Sequence, residues 1–184
     1  YQLHGGTIDD PIDETIEAFE LLKEQGKIRE YGISSIRPNV IREYVQRSNI
    51  VSVMMQYSLL DRRPEELCLG LLNTNDISVI TRGTLAKGLL VNKSPKPYLG
   101  HAESEVKVAS DAIQMVADIR GKSKSLVACQ YVLQSETVAS AVIGFRTEEQ
   151  LLDCVDGSDI DKLADLDYEF LRASAFARKY EGHR

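Results

Sequence analysis

Short apolar runs that each empty into a polar or glycine tip, separated by segments of helical spacing, constrain this chain more than any other feature. The runs begin near Tyr1, Ile28, Ile50, Ile77 and Val138. Their tips read His4-Gly5-Gly6, Ser34-Ser35, Gln56-Tyr57, Thr81-Arg82-Gly83 and Gly144-Phe145-Arg146. Between the runs, Ile12, Ile16, Phe19 and Leu22 recur at helical spacing before Gly26. Val40, Ile41, Tyr44 and Val45 do so after Pro38, and Leu67, Cys68, Leu71 and Leu72 after Pro64. Asp10 is placed to cap the first of these helices, with Pro11 at its first position, where no backbone N–H is needed. Ile50 to Met55 is nearly all apolar, as expected of a strand covered on both faces. Strand followed by helix, repeated, predicts a parallel α/β sheet with right-handed crossovers.

The fourth crossover is longer than the others. It holds the glycine-flanked turns between Gly83 and Gly100 and a helix carrying Ala109, Ala112, Ile113 and Val116 that ends at Gly121. A further helix with Leu126, Val127, Gln130, Tyr131 and Leu133 precedes the last strand. Thr147-Glu148-Glu149-Gln150 has the spacing of a capping box, and Leu163, Leu166, Phe170, Ala173 and Ala177 predict a closing amphipathic helix over the outer surface. Strands in this number fit either an open doubly wound sheet or the second half of an eight-stranded barrel. The start inside a strand, without Met, favours the barrel and a missing N-terminal part.

Composition narrows the function classes. A chain of 184 residues with 43% hydrophobic and 27% charged residues supports one sizeable core. The net charge of -6 argues against sequence-independent nucleic-acid binding and against an anionic membrane surface, both of which attract basic proteins. No apolar run approaches the ~18 residues of a membrane span. Cys68, Cys129 and Cys154 are widely spaced, with no CxxC and no metal-ligand pattern, so a reduced, cytoplasmic chain with buried thiols is the expectation.

In a parallel sheet the strand tips share one rim, so His4, Ser34, Ser35, Gln56, Arg82, Gly144, Arg146 and Thr147 converge. Singly, each has an ordinary alternative: Ser34 a helix cap, Gln56 a satisfied core amide, Arg82 an ion pair. Gly144 lets backbone approach a ligand, the helix opening at Thr147 turns free amides back at the same spot, and Arg146 adds charge, a combination suited to phosphate. No GxGxxG is present, so a Rossmann dinucleotide fold is not supported. A sugar-phosphate site on an unrelated barrel remains an alternative.

Tyr1-Gln2-Leu3-His4, Tyr31-Gly32-Ile33-Ser34-Ser35, Gln56-Tyr57-Ser58, Arg82-Gly83-Thr84-Leu85-Ala86-Lys87-Gly88-Leu89-Leu90, and Ile143-Gly144 followed by Glu149-Gln150-Leu151 resemble, in this order, the aldo-keto reductases, bacterial members in particular. The resemblance covers essentially the whole chain. It implies a parallel (β/α)8 TIM barrel, with residues 1–184 one partial domain running from the end of strand 4 through strand 8 and the C-terminal helix. It also implies reduction of aldehyde or ketone carbonyls by hydride transfer, with NADP(H) or NAD(H) as cofactor and a small carbonyl compound as substrate.

Carried over by position, His4 would orient or polarise the carbonyl, and Ser34, Ser35 and Gln56 would hold the nicotinamide carboxamide. Arg82 stands where many members stack a Tyr. Gly83 would contact the cofactor, Leu85, Lys87, Gly88 and Leu89 would wrap the pyrophosphate, and Gly144, Arg146, Thr147, Gln150 and Cys154 would meet the adenosine end. Cys154 replaces a frequent Asn, which leaves the NADP-versus-NAD preference open. The general-acid tyrosine, its aspartate and its lysine belong to earlier strands, so the stretch alone is expected to lack reductase activity. Its open sheet edges would favour self-association or pairing with an N-terminal half. A cofactor-sensing regulatory module without turnover is the competing function.

Overall fold

A computed structural model of the chain describes residues 1–155 and 161–184. Five parallel strands, β1 (Gln2–His4), β2 (Gly32–Ser34), β3 (Ser52–Gln56), β4 (Ser78–Arg82) and β5 (Val138–Ala141), lie in the spatial order β1-β2-β3-β4-β5. Helices α1 (Ile12–Glu24), α2 (Pro38–Arg47) and α3 (Pro64–Thr74) make the first three crossovers. The fourth holds a short 3-10 turn (Ala86–Gly88), α4 (Glu103–Arg120) and α5 (Lys124–Leu133), and α6 (Glu148–Leu152) and α7 (Asp165–Ser174) follow β5. Strand order never reverses, as it must in a doubly wound sheet. With right-handed crossovers, a monotonic order puts every crossover helix on one face, which is the winding of a (β/α) barrel.

Among the described residues nothing covers the other face, and this corrects the reading of β3 as a strand buried on both sides. Val53 and Met55 are fully buried, whereas Ser52, Met54 and Gln56 are only half-buried, because helices pack on one face alone. The registered row Leu3, Ile33, Val53, Val79 and Val138 points to the helices and forms the centre of the core. On the opposite face the first layer is polar. Gln2 Nε2 donates to Ser52 Oγ at 2.7 Å, passing directly over Gly32. A Cβ on Gly32 would sit 2.2 Å from the Ser52 carbonyl oxygen and 2.8 Å from Gln2 Nε2, so only glycine lets this bridge form.

Other expectations shift in detail. Asp10 does not cap α1: its carboxylate accepts from the Thr7 amide at 2.7 Å and the Thr7 hydroxyl at 3.1 Å, closing the turn before the helix. Gly26 does close α1, donating to Lys23 O at 2.9 Å while the Lys27 amide reaches Leu22 O at 3.0 Å. The face that α7 buries is also displaced from the expected one. Leu166 is 84% exposed and Phe170 half-exposed, while Leu163, Leu171 and Ala175 are buried. The displacement follows from the anchor: Arg62 Nη1 donates to the carbonyls of Arg172 and Ala175 at 2.9 and 3.0 Å, which fixes the rotation of the helix. Among the described residues, no helix is long and apolar enough to cross a membrane.

Candidate active site

Parallel register decides which strand-end side chains can meet. His4 pairs with Ser34, Ser34 with Met54, and, one pleat further, Gln56 with Arg82. Side chains alternate along a strand, so His4, Ser34, Gln56 and Arg82 all project from the uncovered face, opposite to the core row. His4 and Arg82 are exposed, Gln56 is half-buried, and Ser34 and Ser35 are buried at the lip. The Gly5 amide donates to Ser34 O at 3.1 Å, which binds the β1 tip to the β2 tip. Ser35 Oγ accepts from the Arg37 amide at 3.1 Å, so its own proton stays free to donate.

Beside this rim a cavity of about 380 Å³ opens between the segment after β4 and the segment after β5. Gly83, Leu85, Lys87, Gly88, Gly144, Arg146, Gln150 and Cys154 all line it. The backbone there is unusual: Ala86 and Lys87 take φ of +47° and +59°, left-handed values that cost L-residues of order 1 kcal/mol each. Gly88 follows at φ +91°, and the methylene stem of Lys93 crosses it, 3.3 Å from where a Cβ would lie. Lys87, Lys93 and Arg146 thus reach one cavity, and among the described residues none of them is in an ion pair. Asp153 is the acidic side chain of the lining. Unpaired cations converging on a concave site inside a chain of net charge -6 suit a polyanionic ligand.

Two of the expected contacts lie elsewhere. Leu89 is fully buried in the core, because the left-handed turn before it swings its side chain inward. Thr147 is exposed and not on the cavity wall. Its hydroxyl accepts from the Gln150 amide at 3.3 Å, half of the expected capping box, while Gln150 Oε1 reaches past Thr147 to the Arg146 amide at 2.9 Å. α6 has only 5 residues, so little dipole accumulates at its start, and the positive charge at the cavity comes from the side chains of Lys87, Lys93 and Arg146. Cys154 stands on the wall with its thiol pushed up by burial, hence protonated and a weak donor.

Residues that sequence reasoning missed are Asp61, Tyr98 and Lys93. Gln56 Nε2 donates to Asp61 Oδ2 at 2.9 Å and to the Tyr98 hydroxyl at 3.2 Å, and Arg82 Nη1 donates to Gln56 Oε1 at 3.2 Å. Asp61 closes the turn directly after β3, a position where Ser-x-x-Asp could have signalled it. Lys93 carried no sequence signal, since only the fold brings it over Gly88. Among the described residues, no group of three or more His, Cys, Asp or Glu could hold a metal ion.

The sequence pattern of the "Aldo/keto reductase family" matches residues 1–175. The chain is 48% identical to an uncharacterized oxidoreductase, YqkF, of Bacillus subtilis over all of its own length and 62% of that protein's. It is 28% identical to the NADH-specific methylglyoxal reductase of Escherichia coli, covering 91% of the chain and 55% of the relative. Among solved structures, the aldo-keto reductase AKR11C1 from Bacillus halodurans, in its apo form, superposes with a TM-score of 0.90 at 45% identity, over 100% of this chain and 64% of that one. The chain therefore spans under two thirds of the length of these relatives. On the match to the family pattern, the chain belongs to the aldo/keto reductase family.

Proposed function

We propose that this chain provides the cofactor clamp and the substrate-facing histidine of an NAD(P)H-dependent oxidoreductase that reduces aldehyde or ketone carbonyls. The observation that carries the reading is the cavity of about 380 Å³, with Lys87, Lys93 and Arg146 directed into it, lying next to a rim of carboxamide-binding groups. The residues fit a nicotinamide dinucleotide. The cations match its phosphates, Gly144 admits a close approach, and Gln56, Ser34 and Ser35 offer one acceptor and two hydroxyl donors for a carboxamide. NADP(H) is the favoured form because three cations exceed what a pyrophosphate alone requires, and NAD(H) would use the same cleft.

When bound, a reduced nicotinamide supplies the hydride that the carbonyl carbon accepts. His4, exposed on the same face as Ser34, holds the carbonyl oxygen by donating an N–H and so fixes the carbon toward the ring. The buried serines keep the carboxamide in plane, and the cavity residues hold the remote end of the cofactor, whose binding energy positions the reacting end. The proton would come from the tyrosine, tuned by lysine, that the family resemblance implies. The three cysteines are free and buried, in keeping with a reducing, cytoplasmic setting.

Titration of the full chain with NADPH and NADH by fluorescence quenching, followed by turnover assays with small aldehydes, tests the proposal. Micromolar binding with carbonyl-dependent oxidation of the cofactor is the expected result. Binding without turnover by a chain that carries the proton donor would instead identify a cofactor-sensing module. Failure of both cofactors to bind would leave a sugar-phosphate site as the better description.

A further inference from the structure

Asp61 sits in the turn beyond β3, closed by the Ser58 amide on Asp61 O at 3.2 Å and the Asp61 amide on Ser58 O at 3.0 Å. Its side chain is 1% exposed. It accepts from Gln56 Nε2 at 2.9 Å and from Arg63 Nε and Nη2 at 2.7 and 2.8 Å. A carboxylate paired with a guanidinium offers acceptors only, so the Gln56 atom facing it is the amide nitrogen and the ambiguity between the two ends of a glutamine is removed. The second amide hydrogen goes to Tyr98 OH at 3.2 Å. Gln56 Oε1 is thereby turned away from the interior, to the exposed side where Arg82 lies.

We propose that Asp61 is a positioning residue that locks the Gln56 carboxamide with its oxygen outward, and that Tyr98 couples this orientation to the 83–100 segment walling the cavity. The inference rests on the nicotinamide reading given above. A Gln56 held this way accepts from the NH2 of a ligand carboxamide, which leaves the ligand's carbonyl oxygen to the hydroxyl protons of Ser34 and Ser35. A Gln56 free to flip would present NH2 half of the time and oppose that pairing. Gly83, whose added Cβ would stand 3.0 Å from Gln56 Cγ, keeps room for the locked rotamer. Arg63 contributes by holding Asp61, not by reaching a ligand.

The two halves of the cofactor provide the test. In the full chain, binding of reduced nicotinamide mononucleotide and of adenosine 2′,5′-bisphosphate is measured by calorimetry for wild type, Asp61→Asn, Tyr98→Phe, Gln56→Ala and Asp61→Asn/Gln56→Ala. Asp61 Oδ2 serves both Gln56 Nε2 and Arg63 Nη2, so in Asp61→Asn the new amide either keeps its oxygen there and turns its NH2 against Arg63 Nε, or turns its NH2 on Gln56; in both cases the charged, accept-only partner that fixes the glutamine is lost. Asp61→Asn should weaken the nicotinamide mononucleotide about fivefold, on the order of one hydrogen bond, and change the adenosine fragment by less than about twofold. Tyr98→Phe, which removes one hydroxyl and serves if Asp61→Asn fails to fold, should produce a smaller loss on the nicotinamide fragment alone. In the Gln56→Ala background, Asp61→Asn should have no further effect. Equal weakening of both fragments, an unchanged nicotinamide affinity, or an Asp61→Asn loss that persists without Gln56 overturns the proposal. If wild type binds neither fragment, the dinucleotide reading fails first and the positioning role falls with it.

Discussion

Arg62 and Glu65 form a bidentate pair at the start of α3, with Nε 2.9 Å from Oε1 and Nη2 2.8 Å from Oε2, and the arginine side chain is 7% exposed. The remaining guanidinium nitrogen donates to the carbonyls of Arg172 and Ala175 at the end of α7. Glu65 also accepts from Tyr57 OH at 3.0 Å, so strand, helix and C-terminal segment are joined through two side chains.

Arg62→Ala leaves the half-buried Glu65 beside two tyrosines with only the more distant Arg172, at 3.5 Å, as a charge partner, and strips α7 of its anchor. Removing one member of a buried pair costs roughly 3–5 kcal/mol. Urea unfolding of the full chain should show a loss of that size, with amide exchange at Asp165–Ser174 accelerating most. A loss below about 1 kcal/mol would mean that α7 is held by packing alone.

The same pair sets an acid dependence. Burial pushes the Glu65 carboxyl up, but the Arg62 guanidinium, aided by Tyr57 and Arg172, outweighs it and holds the group below its ordinary value. A carboxyl depressed in the folded state stabilises above its unfolded pKa of about 4.3, and that contribution disappears as pH falls through the folded value. Glu65→Gln should therefore be less stable than wild type near neutrality, with the gap narrowing below about pH 4. A gap independent of pH would show that Glu65 carries no linked proton.

Gly32→Ala tests the polar layer beneath the rim. An added Cβ meets backbone of Ser52 at 2.2 Å, and backbone yields less readily than a side-chain tip. A destabilisation of about 1–3 kcal/mol is expected from such overpacking. Because the clash lies two residues below Ser34 on the same face, cofactor binding should weaken as well. Wild-type melting behaviour in this variant would show that the Gln2–Ser52 bridge is dispensable.

Much of this was readable from residue order. Apolar runs with polar tips identified all five strands, and parallel pairing then forced His4, Ser34, Gln56 and Arg82 onto a shared face. What escaped depends on contacts distant in sequence. Asp61 orients Gln56 only because the turn after β3 folds back, and Tyr98 reaches the same amide from 42 residues away. Leu89 looked like a ligand contact because sequence order does not reveal the left-handed turn at Ala86 and Lys87 that buries it. The buried face of α7 was misplaced for a similar reason: tethering by Arg62, not hydrophobic periodicity, sets its rotation.

Arg146 and Lys93 separate a general phosphate role from a selective one. If Arg146 meets the 2′-phosphate, Arg146→Ala weakens NADPH by about tenfold and NADH by much less, since a charge-assisted contact is worth roughly 1.5 kcal/mol or more. Lys93→Ala, acting on charge shared by both cofactors, should weaken the two alike and reduce the salt dependence of binding. Parallel losses for both cofactors in Arg146→Ala would move Arg146 to the pyrophosphate.

The sheet margins carry the last expectation. Among the described residues, β1 pairs only with β2 and β5 only with β4, so each strand presents a ladder that no described residue pairs. On the β5 side, Val142, Phe145, Leu151, Leu152 and Val155 are all exposed, and Tyr1 is 76% exposed on the β1 side. Neither margin is shielded by proline or lysine within the strand, the devices that usually blunt an edge. Residues 1–184 alone should therefore associate with rising concentration in sedimentation velocity, and separately expressed preceding strands of a full-length relative should compete with that association. A monodisperse monomer that unfolds in one cooperative step would show that two open edges are tolerated here, and that the apolar margin beside β5 has another use.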